Sequence, residues 1–66
     1  MISYEPLWNT LKEKKISTYY ITKNKILSRS IIHKLKHNET VTTGTINNLC
    51  TFLDCKVEDV LKYVKE

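Results

Sequence analysis

The sequence predicts an all-α fold of five short helices, and three observations carry that prediction. Apolar residues recur at helical spacing through most of the chain. One Gly and one Pro in 66 residues are too few turn formers for a domain of many short strands. A third signal, an apolar residue followed by Ser or Thr and then by Ile four positions after the hydroxyl, occurs three times: Ile16-Ser17 with Ile21, Leu27-Ser28 with Ile32, and Val41-Thr42 with Ile46. This is the layout of a hydrophobic staple, in which the hydroxyl caps orphan backbone N–H groups and the apolar pair closes over the first turn.

The first helix is expected from about Tyr4 to Lys14. Pro6 suits a first turn because its missing N–H would be unpaired there anyway, and Tyr4, Leu7, Trp8 and Leu11 fall on one face. The second starts after Ser17 and must be short, since the next staple begins eleven residues later. Asn24-Lys25-Ile26 then supplies the reversal, Asn being tolerant of a left-handed backbone. In this helix Tyr20 is assigned to the core side beside Ile21, and Tyr19 faces outward. The third helix turns Leu27, Ile32 and Leu35 inward, which leaves Arg29, Ser30, His33, Lys34 and His37 on its other faces. Ile46, Leu49, Cys50 and Leu53 form the stripe of a fourth helix, and Val57, Val60, Leu61 and Val64 that of a fifth, where Cys55-Lys56 repeats the staple frame with Lys at the cap. The predicted core is Leu7, Trp8, Leu11, Ile21, Leu27, Ile32, Leu35, Ile46, Leu49, Leu53, Val60 and Leu61. Phe52 falls off its stripe and Tyr63 sits at the margin of the last one, which makes both candidates for a dimer interface or for partly covered surface rings.

Size and composition narrow the function. A chain of 66 residues buries only about 60% of the surface its unfolded form exposes, which argues for one domain over residues 1–66 and against a deep catalytic pocket. Asp54, Glu58 and Asp59 have no histidine near them in sequence, and acids in the first turn of a helix are explained by its dipole, so no enzyme and no small-molecule substrate is expected. No apolar run approaches the roughly 18 residues of a membrane span, and Met1-Ile2-Ser3-Tyr4-Glu5 lacks the features of a secretory signal. A cytoplasmic protein without membrane association is expected. Two cysteines cannot build a disulfide framework, so Cys50 and Cys55 are read as packed thiols. With His33 and His37 they could supply four zinc ligands, but the spacing is wider than structural sites use and Cys50 fits its core stripe. No metal and no cofactor are expected.

Charge is distributed unevenly. Residues 1–38 carry a net +6 and residues 39–66 a net −2. Between Lys14 and Asn38 lie seven cations, both histidines and no acid, a field of one sign that suits a polyanion. Two closely spaced helices inside that segment, the second opening Ser28-Arg29-Ser30, have the layout of a helix-turn-helix, whose second helix enters the major groove. Arg can address guanine O6 and N7 bidentately, Ser can reach several bases, and His33 lies one turn after Arg29 on the same face.

The run ISTYYITKNKILSRSIIHKLKHNETVTTGTINNLCTFLDCKVEDV, together with the opening SYEPLWNTLKEK, resembles the Cro and phage-repressor type helix-turn-helix regulators, also called the xenobiotic-response-element type, over nearly the whole chain. The features that carry the resemblance are the Trp8-to-Leu11 opening, the Leu27-Ser28 start of the third helix, the Asn38-Glu39 loop and the ending TINNLCTFLDCKVEDV. It implies a five-helix domain in which the second and third helices form the DNA-binding motif. Base reading is carried over to Ser28, Arg29, Ser30, His33 and Lys34. Phosphate contact is carried over to Ser17, Thr18, Tyr19, His37, Asn38 and Thr43, with Lys36 adding to the phosphate field, and helix N-termini and exposed donors do suit phosphate oxygens. The chain departs from the family at Thr22, where many members have a smaller residue, and at Asn24-Lys25-Ile26, where many have a Gly in the turn. The expected function is a sequence-specific transcriptional regulator that binds double-stranded DNA, pairing on two half-sites as a homodimer. The alternative is a protein-interaction module on the same fold, an adaptor or antitoxin-like partner binder.

Overall fold

The computed structural model describes residues 1–65; Glu66 lies outside the described residues. In chain order the elements are a strand β1 (Ile2–Ser3), four helices α1 (Glu5–Glu13), α2 (Thr18–Lys23), α3 (Arg29–Lys36) and α4 (Thr43–Leu53), a 3₁₀ turn over Val57–Asp59 and a strand β2 (Lys62–Tyr63).

All three staples start helices where the pattern places them. Ser17 Oγ accepts the Tyr20 N–H at 3.1 Å, Ser28 Oγ accepts the Ile31 N–H at 3.3 Å, and Thr42 Oγ1 accepts the Thr45 N–H at 3.2 Å. Each cap residue keeps an extended backbone, so its hydroxyl folds back over the first turn and satisfies an otherwise unpaired donor.

The helices also end alike, and no glycine takes part. Lys15, Lys25, Asn38 and Asp54 all hold positive φ, between 51° and 57°, just past α1, α2, α3 and α4 respectively. Each reversal is closed by a backbone bond spanning six residues: Ile16 N–H to Leu11 O at 2.9 Å, Ile26 to Ile21 at 3.0 Å, Glu39 to Lys34 at 2.8 Å and Cys55 to Cys50 at 3.1 Å. The reversal between α2 and α3 thus falls where the sequence predicts it, but Lys25 takes the left-handed conformation while Asn24 stays at φ −88°. Asn24 instead turns its Nδ2 back to donate to Tyr20 O at 2.8 Å.

Tyr4, Leu7, Leu11, Ile21, Leu27, Ile32, Leu35, Ile46, Leu49, Leu53 and Val60 form the core. Tyr4 joins it from the predicted face of α1, whereas Trp8 and Leu61, expected inside, are partly buried and pack against its edge. Tyr20 corrects another expectation: it is half exposed and stacks on Phe52, with ring centroids 6.2 Å apart, while Ile21 alone carries α2 into the core.

The expected fifth helix is absent from the described residues, which leaves four α-helices. Val57–Asp59 makes one 3₁₀ turn, in which the Asp59 carboxylate accepts the Lys56 N–H at 3.1 Å, and the chain then becomes a strand. Ile2 pairs with Tyr63 and Ser3 with Lys62 in an antiparallel two-stranded sheet. Val57 is 52% exposed and Val64 36%, so of the predicted stripe only Val60 is fully inside. Three of those four stripe residues are valines, whose branched Cβ disfavours helix and favours strand, and the opposite end of the chain supplies a partner for the strand. The turn is fastened to α1 by Leu7 N–H to Val60 O at 3.2 Å and by the Thr10 hydroxyl to Asp59 O at 2.7 Å.

Candidate nucleic-acid interface

Leu27, Ile32 and Leu35 anchor α3 in the core, and that fixes which of its residues face out. Ser28, Arg29, Ser30, His33, Lys34, Lys36 and His37 are all exposed. Three of the basic residues lie in the last turn of α3, where the helix dipole favours positive charge. Among the described residues none of Arg29, Lys34 and Lys36 pairs with a carboxylate; the ion pair Glu5–Lys62, at 3.5 Å, joins α1 to β2 instead.

The start of α2 packs beside this face. Thr18, Tyr19 and Thr22 of α2 and Arg29, Ile32, His33 and Lys36 of α3 line an open cleft of about 300 Å³. A neighbouring cleft of about 280 Å³ is lined by Tyr19, Thr22, Lys23, Leu27, Ser28 and Arg29, so Arg29 sits where the two meet. Five residues predicted for DNA contact, Thr18, Tyr19, Arg29, His33 and Lys36, thus converge on one concavity although eighteen positions separate the first from the last.

The other predicted contacts are distributed around it. Ser17 and Ser28 are the caps of α2 and α3; a hydroxyl oxygen that accepts in a cap still has its hydrogen to donate outward. Ser28 Oγ also lies 3.4 Å from Ser30 Oγ. His33 and His37 stand one turn apart with ring centroids 4.3 Å from each other. Asn38 and Thr43 do not join the main cleft. They line a separate depression with Ile2, Tyr4 and Glu39, and Asn38 Oδ1 accepts the Tyr4 N–H at 3.1 Å, a structural bond that sequence reading does not anticipate. Phe52 borders a groove with Lys15, Ile16, Ser17 and Tyr20, whereas Tyr63, 71% exposed, stands on β2 opposite Ile2.

Thr22 lines both clefts and Lys23 the second, and neither is among the contacts read from the sequence. The Thr22 hydroxyl donates to Thr18 O and Tyr19 O at 3.2 and 3.1 Å, which seats a β-branched polar residue where the helices approach. Lys23 places its ammonium 5.7 Å from the centre of the Tyr19 ring. Its signal was the i, i+4 spacing to Tyr19.

The Cro/C1-type HTH DNA-binding domain family matches residues 6–66. The chain belongs to this family. Within the chain, α2 and α3 are joined by the turn at Lys25. Among solved structures, this HTH domain is similar to the crystal structure of the transcriptional regulator VanUg, form II. The two share 26% identity and superpose with a TM-score of 0.88, over 98% of this chain and 87% of that one. No curated protein matches the sequence. The HTH domain has no helix, among its described residues, long and apolar enough to cross a membrane, and those residues hold no group of three or more His, Cys, Asp or Glu able to hold a metal ion.

Proposed function

We propose that this HTH domain is a cytoplasmic, non-enzymatic transcriptional regulator that reads double-stranded DNA with α3 in the major groove. The observation that carries the reading is the shared cleft. The start of α2 and the exposed face of α3 bring Thr18, Tyr19, Arg29, His33 and Lys36 together beside a cationic surface with no carboxylate in its sequence segment. In this reading Ser28, Arg29, Ser30, His33 and Lys34 address base edges, while Ser17, Thr18, Tyr19, Lys36, His37, Asn38 and Thr43 hold phosphates. Residues 1–66 act as one domain, and two copies bind half-sites one helical turn apart, joined through the faces that carry Phe52 and Tyr63.

Selection from a random duplex library tests this directly. A recovered motif with two half-sites at a spacing of about 10 bp is the expected result. Affinity for the selected site should fall with salt by an exponent of roughly 0.9 per phosphate contact. Recovery of no motif, together with salt-independent capture of a partner protein, would replace DNA binding with the protein-interaction alternative.

A further inference from the structure

We propose that His33 and His37 form a two-imidazole site for a late transition-metal ion of the nickel or zinc class, and that the ion competes with DNA for α3. The regulatory half of this inference rests on the reading of α3 as the DNA-facing helix; the metal site itself does not.

The geometry comes from helix periodicity. Residues i and i+4 lie one turn apart on one face, and here the two ring centroids are 4.3 Å apart at an interplanar angle of 45°. Two imidazoles at right angles on one ion, with metal–nitrogen bonds of about 2.0–2.1 Å, have ring centres roughly 4.5 Å apart, and at a tetrahedral angle roughly 5 Å. The pair therefore stands close to the separation of two imidazoles at right angles on one ion, the arrangement of an octahedral nickel site. Both side chains are exposed, so the remaining coordination positions stay open to water.

The surroundings select the kind of ion. Between Lys14 and Asn38 the sequence holds no carboxylate, Glu39 is the nearest one along the chain, and Arg29, Lys34 and Lys36 neighbour the pair in sequence, so the segment lacks the set of anionic oxygen ligands that a hard cation such as calcium or magnesium needs. Neutral imidazole nitrogens suit nickel, copper and zinc.

The consequence for DNA follows from position. His33 lines the α2–α3 cleft with Arg29 and Lys36, and His37 caps the end of α3. A metal ion holding both rings, with its own water shell, stands on the surface that would lie against the groove and withdraws both rings from contact with DNA.

The test begins without DNA. Nickel(II) chloride is titrated into the reduced full chain at constant pH and followed by calorimetry and by paramagnetic broadening of the histidine ring resonances. One equivalent is expected to bind, with broadening centred on His33 and His37. His33→Asn and His37→Asn should each lose saturable binding over the same concentration range, with their circular dichroism unchanged, and Cys50→Ser should keep it. Retention by either histidine variant, or loss in Cys50→Ser, would overturn the site. In a second arm, nickel(II) should weaken binding of the wild-type chain to its selected duplex and leave unchanged whatever affinity His37→Asn retains. Equal weakening of both would overturn the competition. A chain that binds nickel(II) and no DNA refutes the DNA reading alone; one that binds DNA and no nickel(II) refutes the metal site alone.

Discussion

Tyr4 is bound at both ends to the loop that leaves α3: its N–H donates to Asn38 Oδ1 at 3.1 Å and its hydroxyl donates to Glu39 O at 2.9 Å. Thirty-four residues separate Tyr4 from Asn38, so this pair of bonds ties the start of α1 to the end of the helix proposed to read DNA. Asn38 also holds φ 54°, which an Asn side chain tolerates better than a Cβ-bearing apolar residue does. Tyr4→Phe removes one hydrogen bond and should cost about 0.5–1.5 kcal/mol. Asn38→Ala strands the Tyr4 N–H and forces Ala into the left-handed region, so it should cost more, on the order of 1–3 kcal/mol. Urea unfolding of both variants checks the order. An Asn38→Ala protein as stable as the wild type would mean that Asn38 serves DNA alone.

Lys25 holds its left-handed conformation with no side-chain hydrogen bond among the described residues, and it sits within the α2–α3 reversal. Lys25→Gly should stabilise the domain by up to about 1 kcal/mol, as the relief of backbone strain is partly offset by the greater freedom of Gly in the unfolded chain. The thermal midpoint should rise. A fall would show that the lysine stem contributes packing that outweighs the strain.

Ile32 is 6% exposed and holds α3 against the core from the floor of the main cleft. Ile32→Ala should cost about 2–5 kcal/mol, a large share of what a domain of this size possesses. Denaturant titration measures it, and an unchanged midpoint would contradict the register of α3.

Arg29 and Lys15 are two exposed cations with different assigned roles. Arg29 lies in the first turn of α3 where the two clefts meet, whereas Lys15 is the left-handed residue past α1 and borders the Phe52 groove. Arg29→Ala should lose about 1–3 kcal/mol of discrimination at one base position. Lys15→Ala should weaken binding equally on all sequences, with a slightly smaller salt slope. Isotherms on the selected site and its single-base variants, at two salt concentrations, separate the roles. Equal loss by Arg29→Ala on every sequence would make Arg29 a phosphate contact.

Burial pushes the Cys55 thiol above its ordinary pKa, and the neighbouring Cys50 and Asp59 add to the shift. A raised pKa keeps the folded thiol protonated and poorly nucleophilic. The corresponding stability is fully present below the pKa of the unfolded thiol and is lost as the pH rises through the folded value. Iodoacetamide labelling at mildly alkaline pH, read by peptide mass, should be slower at Cys55 in the folded chain than in urea. Equal rates would remove the predicted protection.

Much of the site was legible in the sequence because its determinants are local. Ser17, Ser28 and Thr42 each satisfy a donor three residues away, so three helix starts could be placed from capping chemistry alone. The inward stripe Leu27, Ile32 and Leu35 determined which residues of α3 would be exposed, and the absence of acids between Lys14 and Asn38 determined the sign of the field around them. Only the tertiary structure decided the rest. The stripe Val57, Val60, Leu61 and Val64 reads as a helix by periodicity, yet Ile2–Ser3 arrives from the other end of the chain and pairs with Lys62–Tyr63. Tyr20 left the core for a ring contact with Phe52, thirty-two residues away, and Tyr4 found its partners at Asn38 and Glu39. Capping and periodicity act within a turn or two of helix and leave their mark on neighbouring residues. Strand pairing and ring stacking between distant segments are selected by which surfaces packing brings together, and no window of neighbouring residues contains that information.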